Sequence, residues 1–182
     1  MAKTQLTAEI EIPEGIEIAI ENGNIRIKGR KGEVLERLFH KKVSVAKEGK
    51  TVKLMTENPS KREKAVLGSF RAHIKNLMRG VSEGHVYKLK ICSGHFPMSV
   101  GVENKMFVVK NLLGEKVPRK IRVTEGVEIK VDGDEVIVSG SEKKKVAQQA
   151  ASIEELAKRT GFDKRVFQDG IYIIYKDGKE IK

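Results

Sequence analysis

The sequence predicts an α+β protein: two tandem copies of an antiparallel sheet covered on one face by a single helix. Three observations predict it. Two strings offset by 82 residues, IEIAIENGNIRIKGRKGE (residues 16–33) and MSVGVENKMFVVKNLLGE (residues 98–115), match position by position. Apolar and polar residues alternate along both, and in each half the period later changes from two to nearly four, as it must where a strand gives way to a helix. Turn residues punctuate both halves at corresponding places.

The elements follow in order. In the first string Ile16, Ile18 and Ile20 precede Glu21-Asn22, and Ile25 and Ile27 follow it; the second string places Met98, Val100 and Val102 before Glu103-Asn104, and Phe107 and Val109 after it. Each reads as a half-buried hairpin about an Asn-containing break. Second hairpins are predicted over residues 43–55 about Glu48-Gly49 and over residues 127–138 about Asp132-Gly133. Val66, Phe70, Ile74 and Met78 then recur every four residues, with Ser60 and Glu63 at capping-box spacing and Gly80 as the expected stop. Val146, Ala150, Ile153 and Ala157 form the second stripe, between Ser141 and Gly161.

The boundary is expected in GVSEGHVY (residues 80–87), with residues 1–83 as the first sheet-plus-helix repeat and residues 84–182 as the second, carrying a basic C-terminal tail. That tail, RVFQDGIYIIYKDGKEIK, contains a run from Ile171 to Tyr175 that reads as a strand between two turns, Asp169-Gly170 and Asp177-Gly178. At 182 residues and 39% hydrophobic content the chain can build cores without a membrane, and no run reaches transmembrane length. The N-terminal string has no signal-peptide pattern and there is a single cysteine, Cys92, so a cytoplasmic, reducing address is expected.

Charge narrows the partner. The chain has 36 Lys and Arg against 25 Asp and Glu, a formal net charge of +11. A heavily charged soluble surface accounts for the 34% of charged residues but not for the excess of one sign, which points to a polyanion. Between residues 105 and 122 lie six cations, Lys105, Lys110, Lys116, Arg119, Lys120 and Arg122, against one acid, Glu115, and phosphate contact is expected there. The run Lys143 to Lys145 sits at a helix start, the unfavourable end of the dipole for cations, and reads as a solvated face.

Reactive groups are sparse. His85, Cys92 and His95 are the one cluster worth weighing as metal ligands, but they lack a fourth partner at a recognisable spacing and read as a buried cysteine and surface histidines. His40 and His73 have no catalytic companion in the sequence. GRKGE and NLLGE lack phosphate-loop spacing, and their glycines read as turn residues. No catalytic residue, metal, cofactor or small-molecule substrate is expected.

The tail is more specific. Lys158, Arg159, Lys164 and Arg165 surround the expected end of the second helix, and Phe162, Phe167, Tyr172 and Tyr175 are four of only nine aromatic residues. Cations among amphipathic rings suit an RNA backbone and unstacked bases. Phe162 and Phe167 are expected to pack the second core, leaving Tyr172, with Lys176 beside it, as the candidate for contact.

Three strings, SGHFP (residues 93–97), NLLGEKVPRKIRV (residues 111–123) and RVFQDGIYI (residues 165–173), together resemble the universal large-subunit ribosomal protein L6 family in its archaeal and eukaryotic-cytosolic form. The resemblance spans essentially the whole chain, since that family is also an internal duplication of a sheet-plus-helix unit. It implies a structural role in the large ribosomal subunit, with the second copy making most of the contact to large-subunit ribosomal RNA. That contact is implied near the base of the stalk where translational GTPases dock, beside neighbouring ribosomal proteins. Carried over by position, it points to His95, to Asn111 through Arg119, and to Arg165 through Tyr172, including Gly170. Bacterial members end in a Tyr/Lys/Gly-rich string that is absent here. The rival readings are a free-standing RNA- or DNA-binding regulator with the same surface chemistry, and a metal-dependent enzyme using His85, Cys92 and His95.

Overall fold

The structure, a computed structural model, describes residues 5–57, 59–163 and 165–181. It contains two helices and four antiparallel sheets among those residues, and it divides into two compact units between Gly84 and His85.

In the first unit, alternation sets the strands: β1 (Gln5–Glu11), β2 (Glu17–Glu21), β3 (Asn24–Gly29), β4 (Gly32–Arg37), β5 (Val43–Glu48) and β6 (Thr51–Glu57), followed by α1 (Lys61–Ser82). They form two three-stranded sheets, in the orders β1-β6-β5 and β2-β3-β4. The single sheet per copy expected from the alternation is therefore two. Pro13 and Gly15 fall between β1 and β2, and a proline has no N–H to give a ladder, so the chain leaves one sheet before starting the next. Register Ile18↔Ile27 and Ile20↔Ile25 keeps the isoleucines of the first hairpin on one face. That face shares a core with Val52 and Leu54 of β6 and with Ile74 and Val81 of α1.

The capping box forms as the spacing predicts. The Ser60 N–H donates to Glu63 Oε2 at 2.9 Å, the Arg62 N–H donates to Ser60 Oγ at 3.2 Å, and the Ser60 hydroxyl also bonds the Glu63 carboxylate. The Ser60 hydroxyl first, and then the backbone amides and Lys42, overcome the effect of burial and hold the Glu63 carboxyl down to about 2. Gly80 does not stop this helix. The Val81 carbonyl accepts the Lys31 N–H at 2.9 Å and Val81 is fully buried, so tertiary contact carries the helix to Ser82. Gly84, at φ 83°, ends it and donates its N–H to the Arg79 carbonyl.

The second unit contains β7 (His85–Cys92), β8 (Ser99–Glu103), β9 (Met106–Lys110), a 3-10 turn (Leu112–Gly114), β10 (Arg119–Arg122), β11 (Val127–Asp132), β12 (Glu135–Gly140), α2 (Lys143–Leu156), β13 (Gly170–Lys176) and β14 (Lys179–Glu180). Its sheets are β10-β9-β8 and β11-β12-β7-β13-β14. The tail strand thus lies antiparallel beside β7, inside the larger sheet, with Ile171 buried against Leu89, Val138 and the α2 residues Val146, Ala150 and Ile153. The second helix is shorter than the expected span from Ser141 to Gly161. It starts at Lys143 without a side-chain cap and ends at Leu156.

His85, read from the sequence as a surface histidine, is fully buried. Its Nδ1 lies 2.9 Å from Asp177 Oδ1, in the turn between β13 and β14, and Lys143 Nζ lies 2.9 Å from Asp177 Oδ2. Burial alone would raise the Asp177 pKa, but the bonds from His85 and Lys143 outweigh it and leave the carboxyl below its ordinary range. The network ties the last hairpin to the start of β7 and the first turn of α2.

Removing one member of such a buried pair leaves the other uncompensated, so Asp177→Ala is expected to lower the unfolding free energy by about 3 kcal/mol in denaturant titrations of the full chain. A second outcome concerns pH. A depressed folded pKa means that the unfolded chain binds the proton first, so the stability from Glu63 is complete above its ordinary value of 4.5 and is lost as pH falls towards about 2. Glu63→Gln should flatten the loss of thermal stability across that window.

Candidate nucleic-acid interface

Asp169 directly precedes β13, and its buried carboxylate holds the loop that joins β7 to β8. Oδ1 accepts the Gly94 N–H at 2.8 Å and the His95 N–H at 3.1 Å, while Oδ2 lies 2.6 Å from His95 Nδ1. Burial pushes the Asp169 pKa up, but the His95 ring and the two amides outweigh it and the carboxyl falls below its ordinary range. Asp169-Gly170, read from the sequence as a turn, is thus an anchor followed by a strand: Gly170 pairs with Cys92 at the end of β7.

From His95 a chain of rings runs outward. The His95 and Phe167 centroids are 4.9 Å apart, Phe167 and Phe162 meet edge to face at 5.1 Å, and the Arg159 guanidinium carbon lies 4.5 Å from the Phe162 centroid. Phe162 and Phe167 were expected in the second core, but Phe162 is 38% exposed and neither ring joins the buried cluster. Ala157 is the last buried member of the helical stripe, and both rings lie in the irregular segment beyond it, where they pack on His95, Arg159 and each other.

The loop after β9 is clamped to the same place. Asn111 (φ 60°) and Leu113 (φ 47°) adopt left-handed conformations that cost a non-glycine residue energy unless the surroundings impose them. Here Leu112 is buried as a plug, and Asn111 Nδ2 donates to the Pro97 carbonyl at 3.0 Å. Arg119 forks onto Glu115 (Nε to Oε2 2.8 Å, Nη2 to Oε1 2.7 Å), and its Nη1 donates to the Leu156 and Lys158 carbonyls at 2.7 and 2.9 Å. A cation that satisfies orphan carbonyls suits a helix C-terminus. Arg159 Nη1 reaches Glu115 Oε1 at 3.5 Å.

The structure therefore brings His95, Asn111, Arg119, Arg159, Gly170 and Tyr172 into one region of the second unit, assembled from all three strings singled out in the sequence. The cations differ in what is left of them. Arg119, expected to grip phosphate, is spent on Glu115 and the end of α2 and acts as a brace. Lys110 pairs with Glu103 at 2.8 Å, and Arg165 forks onto Asp163 at 2.8 Å, both at exposed positions. Lys116, Lys120, Lys158 and Lys176 are exposed, with no ion pair among the described residues. Lys164 lies outside the described residues. Sequence reasoning missed Asp169 and Glu115; the one acid inside a cationic run is the signal that could have marked Glu115 as an internal partner. Among the described residues no group of three His, Cys, Asp or Glu side chains is placed to hold a metal ion.

Comparison with known proteins identifies the family. The family model "Ribosomal protein L6" matches residues 12–84 and again residues 96–170, and the chain belongs to that family. It is 42% identical to the large ribosomal subunit protein uL6 of Methanobrevibacter smithii over 169 residues, 93% of this chain and 95% of that protein. It is likewise 42% identical to the large ribosomal subunit protein uL6 of Methanococcus vannielii over 171 residues, 94% of each.

The division between braces and free cations has a measurable consequence. Arg119→Ala should lower the unfolding free energy by about 2 kcal/mol, since it strands a carboxylate and two carbonyls, whereas Lys116→Ala should change it by less than about 0.5 kcal/mol. Denaturant unfolding of the two full-length variants checks the contrast.

Proposed function

We propose that the chain is a structural, non-enzymatic component of the large ribosomal subunit, acting in the cytoplasm, that binds large-subunit ribosomal RNA near the base of the stalk where translational GTPases dock. The single observation that carries this reading is the region around Asp169, in which three separate strings meet as exposed lysines and half-exposed rings. Free lysines neutralise phosphates and release counterions, rings accept unstacked bases, and the braced backbone beneath fixes their spacing. The names of the relatives support assembly into a large subunit, and the resemblance of the sequence supports the stalk-base location and neighbouring ribosomal proteins as partners. No small-molecule substrate or cofactor enters this role. Among the described residues no helix is long and apolar enough to cross a membrane.

Within this reading residues 1–83 and 84–182 are duplicated repeats, and the second carries the main RNA contact. Three facts support the duplication: both units run through six strands and a helix in the same order, the first strand of each lies beside the sixth, and the family model matches twice.

Full-length protein should co-sediment with large ribosomal subunits through a high-salt wash, and a free-standing regulator would be stripped off. On isolated large-subunit RNA, Lys116→Ala combined with Lys158→Ala should lower the slope of log affinity against log salt by roughly 0.7 to 0.9 for each phosphate that is no longer neutralised. An unchanged slope would remove these lysines from the interface.

A further inference from the structure

A cleft of about 440 Å³ opens between the last turns of α2 and the segment leading into β13, within the size range of small-ligand sites. Phe162, Phe167 and Tyr172 supply its rings, Lys158 and Arg159 its cations, and Glu154, Glu155 and Asp169 its carboxylates, of which Asp169 is already satisfied by the His95 ring and two backbone amides. Two features set its geometry before anything binds. Glu154 Oε1 accepts the Ile173 N–H at 3.2 Å, which orients the carboxylate and leaves Oε2 without a protein donor among the described residues. Gly170 has no side chain where a Cβ would lie 3.1 Å from Cζ and Oη of Tyr172, so the phenol lies back over its own strand while 41% of the residue stays exposed.

A site with aromatic walls, a fixed carboxylate and a cation nearby matches one nucleotide: ring faces for the base, a lysine for its phosphate and an acceptor for its edge. The carboxylate selects among bases. Guanine alone presents two adjacent donors, N1–H and the N2 amino group, that meet both oxygens of a carboxylate. Adenine and cytosine set an acceptor beside their amino group, and uracil flanks its single N–H with two carbonyls. We propose that this cleft receives one guanine extruded from a single-stranded or bulged segment of the bound RNA, with Glu154 reading its edge, Tyr172 and Phe162 contacting its faces and Gly170 positioning Tyr172. The inference rests on the RNA-binding reading above and adds a base-specific subsite to it.

The test titrates full-length, isotopically labelled protein with GMP, AMP, CMP and UMP, following aromatic and amide NMR signals. The four share a phosphate, so differences between them report the base. GMP should shift Phe162, Phe167 and Tyr172, with the other three binding at least about tenfold more weakly. Glu154→Gln should bring GMP towards the others without abolishing binding, and Tyr172→Ala should weaken all four by about tenfold. Should Tyr172→Ala fail to fold, Phe162→Ala, at a half-exposed ring outside the core, serves in its place. Shifts absent from the cleft, or equal for all four nucleotides, overturn the proposal, as does a protein side chain filling the cleft in the intact large subunit. Wild-type co-sedimentation separates the two levels. Protein that holds large-subunit RNA while the cleft ignores GMP refutes the guanine site alone, whereas protein that releases the RNA refutes the wider reading.

Discussion

The second unit depends on one buried carboxylate. Asp169 receives two backbone amides and the His95 ring from a loop more than seventy residues earlier in the chain, and each of those bonds favours its ionised form. A buried charge is tolerated only where such partners satisfy it. Once it is satisfied, the loop before β8 and the head of β13 cannot move independently. The ring pair of His95 and Phe167 then has a fixed foot, and Pro97, two residues further on, presents the carbonyl that Asn111 binds. The rigid surface is thus made by internal polar bonds at its base.

The same logic divides the cations by role. Arginine suits bracing, because its planar fork can bind a carboxylate and backbone carbonyls together, as Arg119 does, or lie over a ring, as Arg159 does over Phe162. Lysine is a compact charge on a flexible stem and suits phosphate, and the exposed lysines without ion pairs fit that use. A net charge of +11 is therefore a poor guide to the cations available for RNA, since part of it is consumed inside the fold.

Much of this was legible in the sequence. Period-two alternation located both hairpins of each half, the Ser60 and Glu63 spacing gave the capping box, and the run from Ile171 to Tyr175 gave the tail strand. The misreadings share a cause: local signals were overridden by distant partners. Gly80 looked like a stop, but the contact of Val81 with Lys31 extends the helix past it. Asp169-Gly170 has turn composition, yet pairing with Cys92 makes Gly170 a strand residue, and Tyr172 gives the missing side chain a second purpose. His85 resembled a surface residue because its partner Asp177 is 92 residues away. Phe162 and Phe167 looked like core because rings in a small unit usually pack inward, but they follow the helix in an irregular segment and pack on His95, Arg159 and each other.

In the proposed role RNA is gripped by the surface assembled around Asp169, and residue-resolved protein–RNA crosslinking on intact large ribosomal subunits measures that grip. Crosslinks are expected to concentrate in residues 93–97, 111–120 and 157–176. Crosslinks falling mainly on residues 5–84, with those three segments silent, would contradict that role.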